Sequence, residues 1–178
     1  MAWVRRAVLA ILAGLCAVVG RAQSGAGDWP MSNRDLAGTR YSPLTKIDTT
    51  NVAALEHAWS FSLENDQTAG TLSGGSEFTP IVVDGVMYAA SSDAVVALEP
   101  ETGQVIWRHV VTNGVPSRRG VAYWPGDAES APRIFFTSER RLIAVTARSG
   151  EPASAFGTAG EADMVVPYHS APTCSRTC

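Results

Sequence analysis

The feature that most limits what this chain can fold into is a repeat of 47 positions. Met87 and Ile134, Ala97 and Ala144, and Gly103 and Gly150 each lie that far apart. The match stays in register. Val86-Met87-Tyr88-Ala89-Ala90 aligns with Arg133-Ile134-Phe135-Phe136-Thr137, and Val95-Val96-Ala97-Leu98 aligns with Leu142-Ile143-Ala144-Val145. Glu101-Thr102-Gly103 aligns with Arg148-Ser149-Gly150. An earlier unit leaves its trace in Trp59, 48 positions before Trp107.

Each unit reads as short strands. The β-branched run 79–83 stops at Asp84-Gly85, a dipeptide suited to a two-residue hairpin loop, and Val86 to Ala90 returns. Ala94 to Leu98 follows, then a turn at residues 99–103, then a strand over residues 104–110 around Trp107. Residues 57–63 alternate apolar and polar, as a strand does. Residues 51–55 predict one helical turn capped by Asp48 or Thr49. A period in the forties made of four short strands predicts β-propeller blades. A β-sandwich with two similar hairpins is the competing architecture, but it does not require units in register. The Trp of each outer strand is suited to packing against the next blade. The expected fold is therefore all-β: an incomplete propeller of about two blades. It holds the tail of one unit, one full unit, most of another and the first strand of a third. Closing a ring takes at least about four blades, so these units do not close one alone.

Composition narrows the setting. Hydrophobic residues make up 46% of the 178 residues and charged residues 17%, which fits a packed, turn-rich domain rather than a disordered one. The formal net charge is −3 and there is no basic run, which argues against a nucleic-acid partner. Residues 1–22 read as a secretory signal: Arg5 and Arg6, then an uncharged apolar run over residues 7–20, then Gly20-Arg21-Ala22 as a cleavage site. That run is shorter than the about 20 residues of a membrane span. Leu15 before Cys16 is too large for a lipoprotein signal. Removing residues 1–22 takes the net charge to −6 and leaves Cys174 and Cys178, which could pair in an oxidising compartment but would staple almost nothing. The expected domains are thus a signal over 1–22 and propeller over 23–178, in a protein that is periplasmic, secreted or membrane-associated.

Four ordered stretches carry a more specific resemblance. The first is Asp28-Trp29-Pro30 with Gly38-Thr39-Arg40-Tyr41-Ser42-Pro43-Leu44 and Ile47. The second runs from Ser76-Glu77-Phe78-Thr79-Pro80 through Asp84-Gly85 to Tyr88. The third is Arg119-Gly120-Val121-Ala122-Tyr123-Trp124-Pro125-Gly126-Asp127. The fourth is Phe156-Gly157 and Gly160-Glu161-Ala162-Asp163, leading to Val166-Pro167-Tyr168-His169-Ser170. Together they resemble the dehydrogenases that use pyrroloquinoline quinone (PQQ), in the glucose and alcohol dehydrogenase branch. That resemblance implies an eight-bladed propeller with PQQ and a Ca²⁺ ion near its axis. It implies oxidation of a sugar or alcohol by hydride transfer to the quinone, with a membrane quinone or a cytochrome as possible electron acceptor.

The resemblance also assigns residues. Glu77 precedes an inner strand where the family has a Glu touching PQQ. Arg119 stands where the family has an Arg, and its guanidinium fork suits a PQQ carboxylate. Ser170, with His169 beside it, lies where the family often has a Ser or Thr against the cofactor. Asp127 and Asp163 read as turn residues. Trp59, Trp107, Trp124, Tyr88 and Phe135 read as packing. The chain departs from the family at residues 112–117, which lack both the adjacent cysteines and the His that members carry before the Arg. No residue matches the family's base or its Ca²⁺ ligands, which belong to later blades, so no catalytic residue or metal ligand is named. No Cys-x-x-Cys-His haem motif is present. The resemblance fades after Pro172, so the chain is expected to be the N-terminal part of such an enzyme and inactive alone. The alternative is a non-catalytic propeller scaffold or binding protein of the cell envelope. Such a scaffold has no need of Glu77 and Arg119 together.

Overall fold

A computed structural model of the chain describes residues 25, 27–63 and 77–174. The expected signal over 1–22, Ser76 and Cys178 lie outside the described residues. Two four-stranded antiparallel sheets form in chain order. The first holds β1 (Ile81–Val83), β2 (Val86–Ala90), β3 (Ala94–Leu98) and β4 (Val105–Val110). The second holds β5 (Ala122–Trp124), β6 (Arg133–Ser138), β7 (Arg141–Thr146) and β8 (Glu161–Asp163). These are two propeller blades, and the repeat maps β2 onto β6 and β3 onto β7. β1 pairs with β2 through Ile81 and Tyr88. β3 pairs with β4 with a shift between Ala97 and Leu98, which leaves Ile106 half-exposed on the outer strand.

Both faces of each blade are covered, which is why β3 is buried at every position. One face of the first blade (Ile81, Val83, Tyr88, Val95, Trp107) packs on Val121, Ile134, Phe136, Ile143 and Val145 of the second. The opposite face (Ala89, Val96, Leu98) is covered by Trp59, Phe61 and Leu63. Those three residues are the inward positions of the alternating segment 57–63. The alternation is therefore realised in packing, although no strand forms there because no described neighbour offers it a ladder. Leu63 meets the blade through one bond, Ser92 N–H to its carbonyl at 2.8 Å.

The blades interlock through tryptophan. Trp59 Nε1 donates to the Pro100 carbonyl at 2.9 Å, and Trp107 Nε1 donates to the Ala147 carbonyl at 2.9 Å. Each indole lies flat on the turn glycine of the following unit. A Cβ on Gly103 would sit 2.5 Å from the Trp59 ring, and one on Gly150 would sit 2.6 Å from the Trp107 ring. No other residue fits beneath an indole at that separation.

The second blade departs from its template on its outer edge. The position 47 beyond Trp107 is Ser154, which cannot stack. The repeat's outer strand shrinks to one bridge, Val145 to Pro152, and the chain turns through residues 154–160 before β8 pairs with β7. Phe156 fills the gap, edge-on to Phe135 at 5.1 Å, within the cluster of Trp124, Ala144 and Ala153 that Cys174 also joins. The expected first strand of a third unit is not a strand within the described residues. Residues 164–174 form no regular element, bend at Val165, Val166 and Ser170, and are pinned by single bonds such as Tyr168 N–H to the Glu139 carbonyl at 3.0 Å.

At the N-terminal side, Trp29 forms a two-bond bridge with Val82 and covers the free edge of β1. The helical turn is a 3-10 turn at Val52–Ala54 with Asn51 as its N-cap and no side-chain cap bond. Asp48 serves an Asx turn instead, accepting from Thr50 N–H at 2.7 Å. Leu36, Tyr41, Leu44, Ile47 and Leu55 of this arm are all exposed. Among the described residues no helix is long and apolar enough to cross a membrane.

Tyr88 and Tyr123 are both packed against the seam between the blades. Burial pushes each phenol from 10.0 up to about 12, and the Asp84 and Asp28 charges add to the effect at Tyr123. The folded chain thus holds these protons more tightly than the unfolded chain. The associated stability is complete below about pH 10 and is lost as pH rises through about 12. Urea unfolding across that window is expected to show falling stability that flattens in the Tyr88→Phe, Tyr123→Phe double variant. An equally steep fall in that variant would place the cause elsewhere.

Candidate functional site

The site is built where consecutive blades begin. β1 and β5 are the first strands of their sheets, each at one edge, and Glu77 and Arg119 precede them by a few residues. The two starts touch: a Cβ on Gly120 would fall 2.8 Å from the Thr79 carbonyl oxygen, and Gly120 has φ +109. Glycine at 120 therefore lets the Arg119 backbone close on the Glu77 segment.

That approach brings two of the expected residues into direct contact. Arg119 Nε donates to Glu77 Oε2 at 3.2 Å. The pair is open to solvent, with the side chains 62% and 59% exposed. Glu77 engages only the Nε edge. Among the described residues the two terminal nitrogens of Arg119 take no protein partner, so the guanidinium presents its outer fork to solvent. A fork held from behind by a carboxylate is suited to a second carboxylate in front.

Ser170 is tied to the same place by its backbone. Ser117 Oγ donates to the His169 carbonyl at 2.8 Å and accepts from Arg119 N–H at 3.3 Å. Thr137 Oγ1 donates to the Ser170 carbonyl at 3.1 Å. The Ser170 hydroxyl has no hydrogen-bond partner among the described residues, and His169 contributes its carbonyl rather than its ring. All three expected residues thus gather at one end of the blades. Ser117 and Thr137 belong to no motif in the sequence; the repeat shows only that Thr137 stands where the first blade has Ala90.

Further ion pairs surround this end. Arg141 Nη1 donates to both oxygens of Glu161 at 3.0 and 3.2 Å, while its Nη2 donates to the Thr112 and Asn113 carbonyls at 2.7 and 3.0 Å. Arg141 thereby fastens the loop leading to Arg119. Asp163 accepts from Val165 N–H at 2.8 Å as a turn residue, and it also pairs with Arg140. The Val165 bond first, and Arg140 second, hold its carboxyl below the usual range. Asp127 is a turn residue, accepting from Glu129 and Ser130 N–H at 2.9 and 2.8 Å.

The PQQ family model, described as "Glucose/ethanol/alcohol dehydrogenase, beta-propeller domain", matches residues 29–174. The chain belongs to the PQQ dehydrogenase propeller family. It is 35% identical over 136 residues to the "Alcohol dehydrogenase (quinone), dehydrogenase subunit" of Gluconobacter oxydans, covering 70% of this chain and 16% of that protein. It is 36% identical over 156 residues to the "1-butanol dehydrogenase (cytochrome c)" of Thauera butanivorans, covering 83% and 21%. The crystal structure of quinohemoprotein alcohol dehydrogenase from Comamonas testosteroni matches with a TM-score of 0.56 and 36% identity, covering 70% and 18%. The chain thus spans about a fifth or less of the length of these PQQ-family relatives.

The donor set fits an acidic quinone cofactor at Glu77 and Arg119: a free guanidinium fork for a carboxylate, beside a carboxylate acceptor. It does not fit the family's calcium. Among the described residues no group of three or more His, Cys, Asp or Glu could hold a metal ion. No step is assigned to calcium in this chain.

Proposed function

We propose that this chain contributes two blades, and one side of the cofactor seat, to a PQQ-dependent dehydrogenase that oxidises an alcohol. The observation that carries the reading is the convergence of Glu77 and Arg119, at the starts of the two blades, with the His169–Ser170 segment that follows the second. Bound PQQ supplies a quinone that accepts a hydride equivalent. The residues of this chain bind and orient. The Arg119 fork holds a cofactor carboxylate, Glu77 fixes the Nε edge and offers its other oxygen to a cofactor donor, and Ser170 offers a free hydroxyl. An alcohol rather than a sugar is favoured by what the relatives are named for. Those names also favour a cytochrome or a quinone as the electron acceptor. The basic and apolar pattern of residues 1–22 supports export to the periplasm or beyond.

Three polar contacts of this kind correspond to binding in roughly the 10 μM to 1 mM range. Titrating PQQ into the purified chain is expected to quench its tryptophan fluorescence saturably in that range. The same chain with PQQ, Ca²⁺ and a primary alcohol is expected to reduce no dye acceptor, because substrate contacts and base lie in other blades. Absence of saturable PQQ binding would remove the cofactor reading. Alcohol-dependent turnover would refute the division of labour.

A further inference from the structure

We propose that Ser117 and Thr137 are positioning residues that hold the His169–Ser170 segment against the start of the second blade, and so fix the spacing of Arg119 and Ser170 across the cofactor seat. This rests on the PQQ reading above.

Ser117 and Thr137 are nearly inaccessible, at 6% and 1% exposure, although the seat beside them is open. They are joined directly by Ser117 N–H to the Thr137 carbonyl at 2.8 Å. Each hydroxyl then spends its single proton on a backbone carbonyl, Ser117 on His169 and Thr137 on Ser170. The two carbonyls are consecutive along the chain. Gripping two consecutive carbonyls holds the segment at two points, so it limits the rotation of the segment as well as its distance. Ser117 Oγ also accepts from Arg119 N–H, so one buried oxygen references both sides of the seat. No strand ladder supports residues 169–170 among the described residues, and these hydroxyls do the work a ladder would do. Loss of either one leaves a part-buried carbonyl without its side-chain donor and frees the segment to shift.

The test is PQQ affinity, read by tryptophan fluorescence at a temperature where thermal melts show every variant fully folded. Ser117→Ala and the isosteric Thr137→Val are each expected to weaken PQQ binding by about 5- to 20-fold. Ser117→Thr and Thr137→Ser, which keep the hydroxyl, are expected to recover affinity to within about twofold. Ser91→Ala serves as the structural control. Its hydroxyl is 2% exposed and bonds only within the β2–β3 turn and its Asp93. It is expected to lower the melting temperature and leave PQQ affinity unchanged. Unaltered affinity in Ser117→Ala and Thr137→Val, alongside lost affinity in Arg119→Ala, overturns the positioning role and leaves the seat standing. Equal losses in Ser91→Ala overturn it as well. Unaltered affinity in Arg119→Ala overturns the seat and this inference with it.

Discussion

Replacing Gly150 by alanine is expected to destabilise the chain by about 2–5 kcal/mol. Two costs combine. Gly150 has φ +71, where an L side chain costs about 1–2 kcal/mol. The new Cβ would lie 2.6 Å from the Trp107 ring, and overpacking of that kind costs about 1–3 kcal/mol. Gly85 separates the two contributions. Its φ is +74 and nothing lies within 4 Å of its added Cβ, so Gly85→Ala should show the backbone cost alone. A double-mutant cycle completes the argument. In a Trp107→Ala background, itself destabilised by about 3–5 kcal/mol, Gly150→Ala should cost no more than Gly85→Ala. Urea denaturation measures all of these. Equal costs for Gly150→Ala and Gly85→Ala in the unaltered background would mean that the indole does not rest on that glycine.

Arg119→Ala is expected to have the opposite profile, large on binding and small on stability. Losing a charge-assisted pair to a cofactor carboxylate costs about 2–3 kcal/mol, which is roughly a 30- to 150-fold loss of PQQ affinity. The ion pair with Glu77 is well exposed, so its contribution to folding is within about 0.5 kcal/mol. Arg119→Lys should recover only part of the affinity, because an ammonium keeps the charge and loses the planar fork. Affinity in the unaltered chain should also fall with added salt, since the seat is open to solvent. A melt that shifts as strongly as binding in Arg119→Ala would mark the residue as structural.

The register of the repeat made the blades legible in the sequence. A spacing that recurs at Met87, Ala97 and Gly103 forces equivalent backbone at Ile134, Ala144 and Gly150, so the strands and their turn could be placed. The role of Trp107 followed from its position on an outer strand. The site was partly legible. Glu77 and Arg119 were identified separately by their motifs, and their contact depends on Gly120 closing on Thr79, which no local pattern encodes. Ser117 and Thr137 were illegible for a related reason. A hydroxyl that bonds a carbonyl 52 or 33 residues away leaves no periodic signal. The second blade's outer edge lies beyond Gly150, where the repeat stops matching. Ser154 falls where a tryptophan would hold the strand, so β8 forms further along. Residues 57–63 show the converse case: their alternation was real, but a strand needs a partner as well as a pattern.

The tryptophan interlock also gives the fold a direction in time. Trp59 finds its acceptor 41 residues later and Trp107 finds its own 40 residues later, so in each case the key is made before the lock. A ribosome adding about 5–20 residues per second would leave each indole waiting some 2–8 seconds for the turn that receives it. During that interval the newest blade displays its apolar face and the one before it is already sealed. At any moment of synthesis the sticky surface is therefore confined to the growing end, and it moves forward by one blade with every repeat.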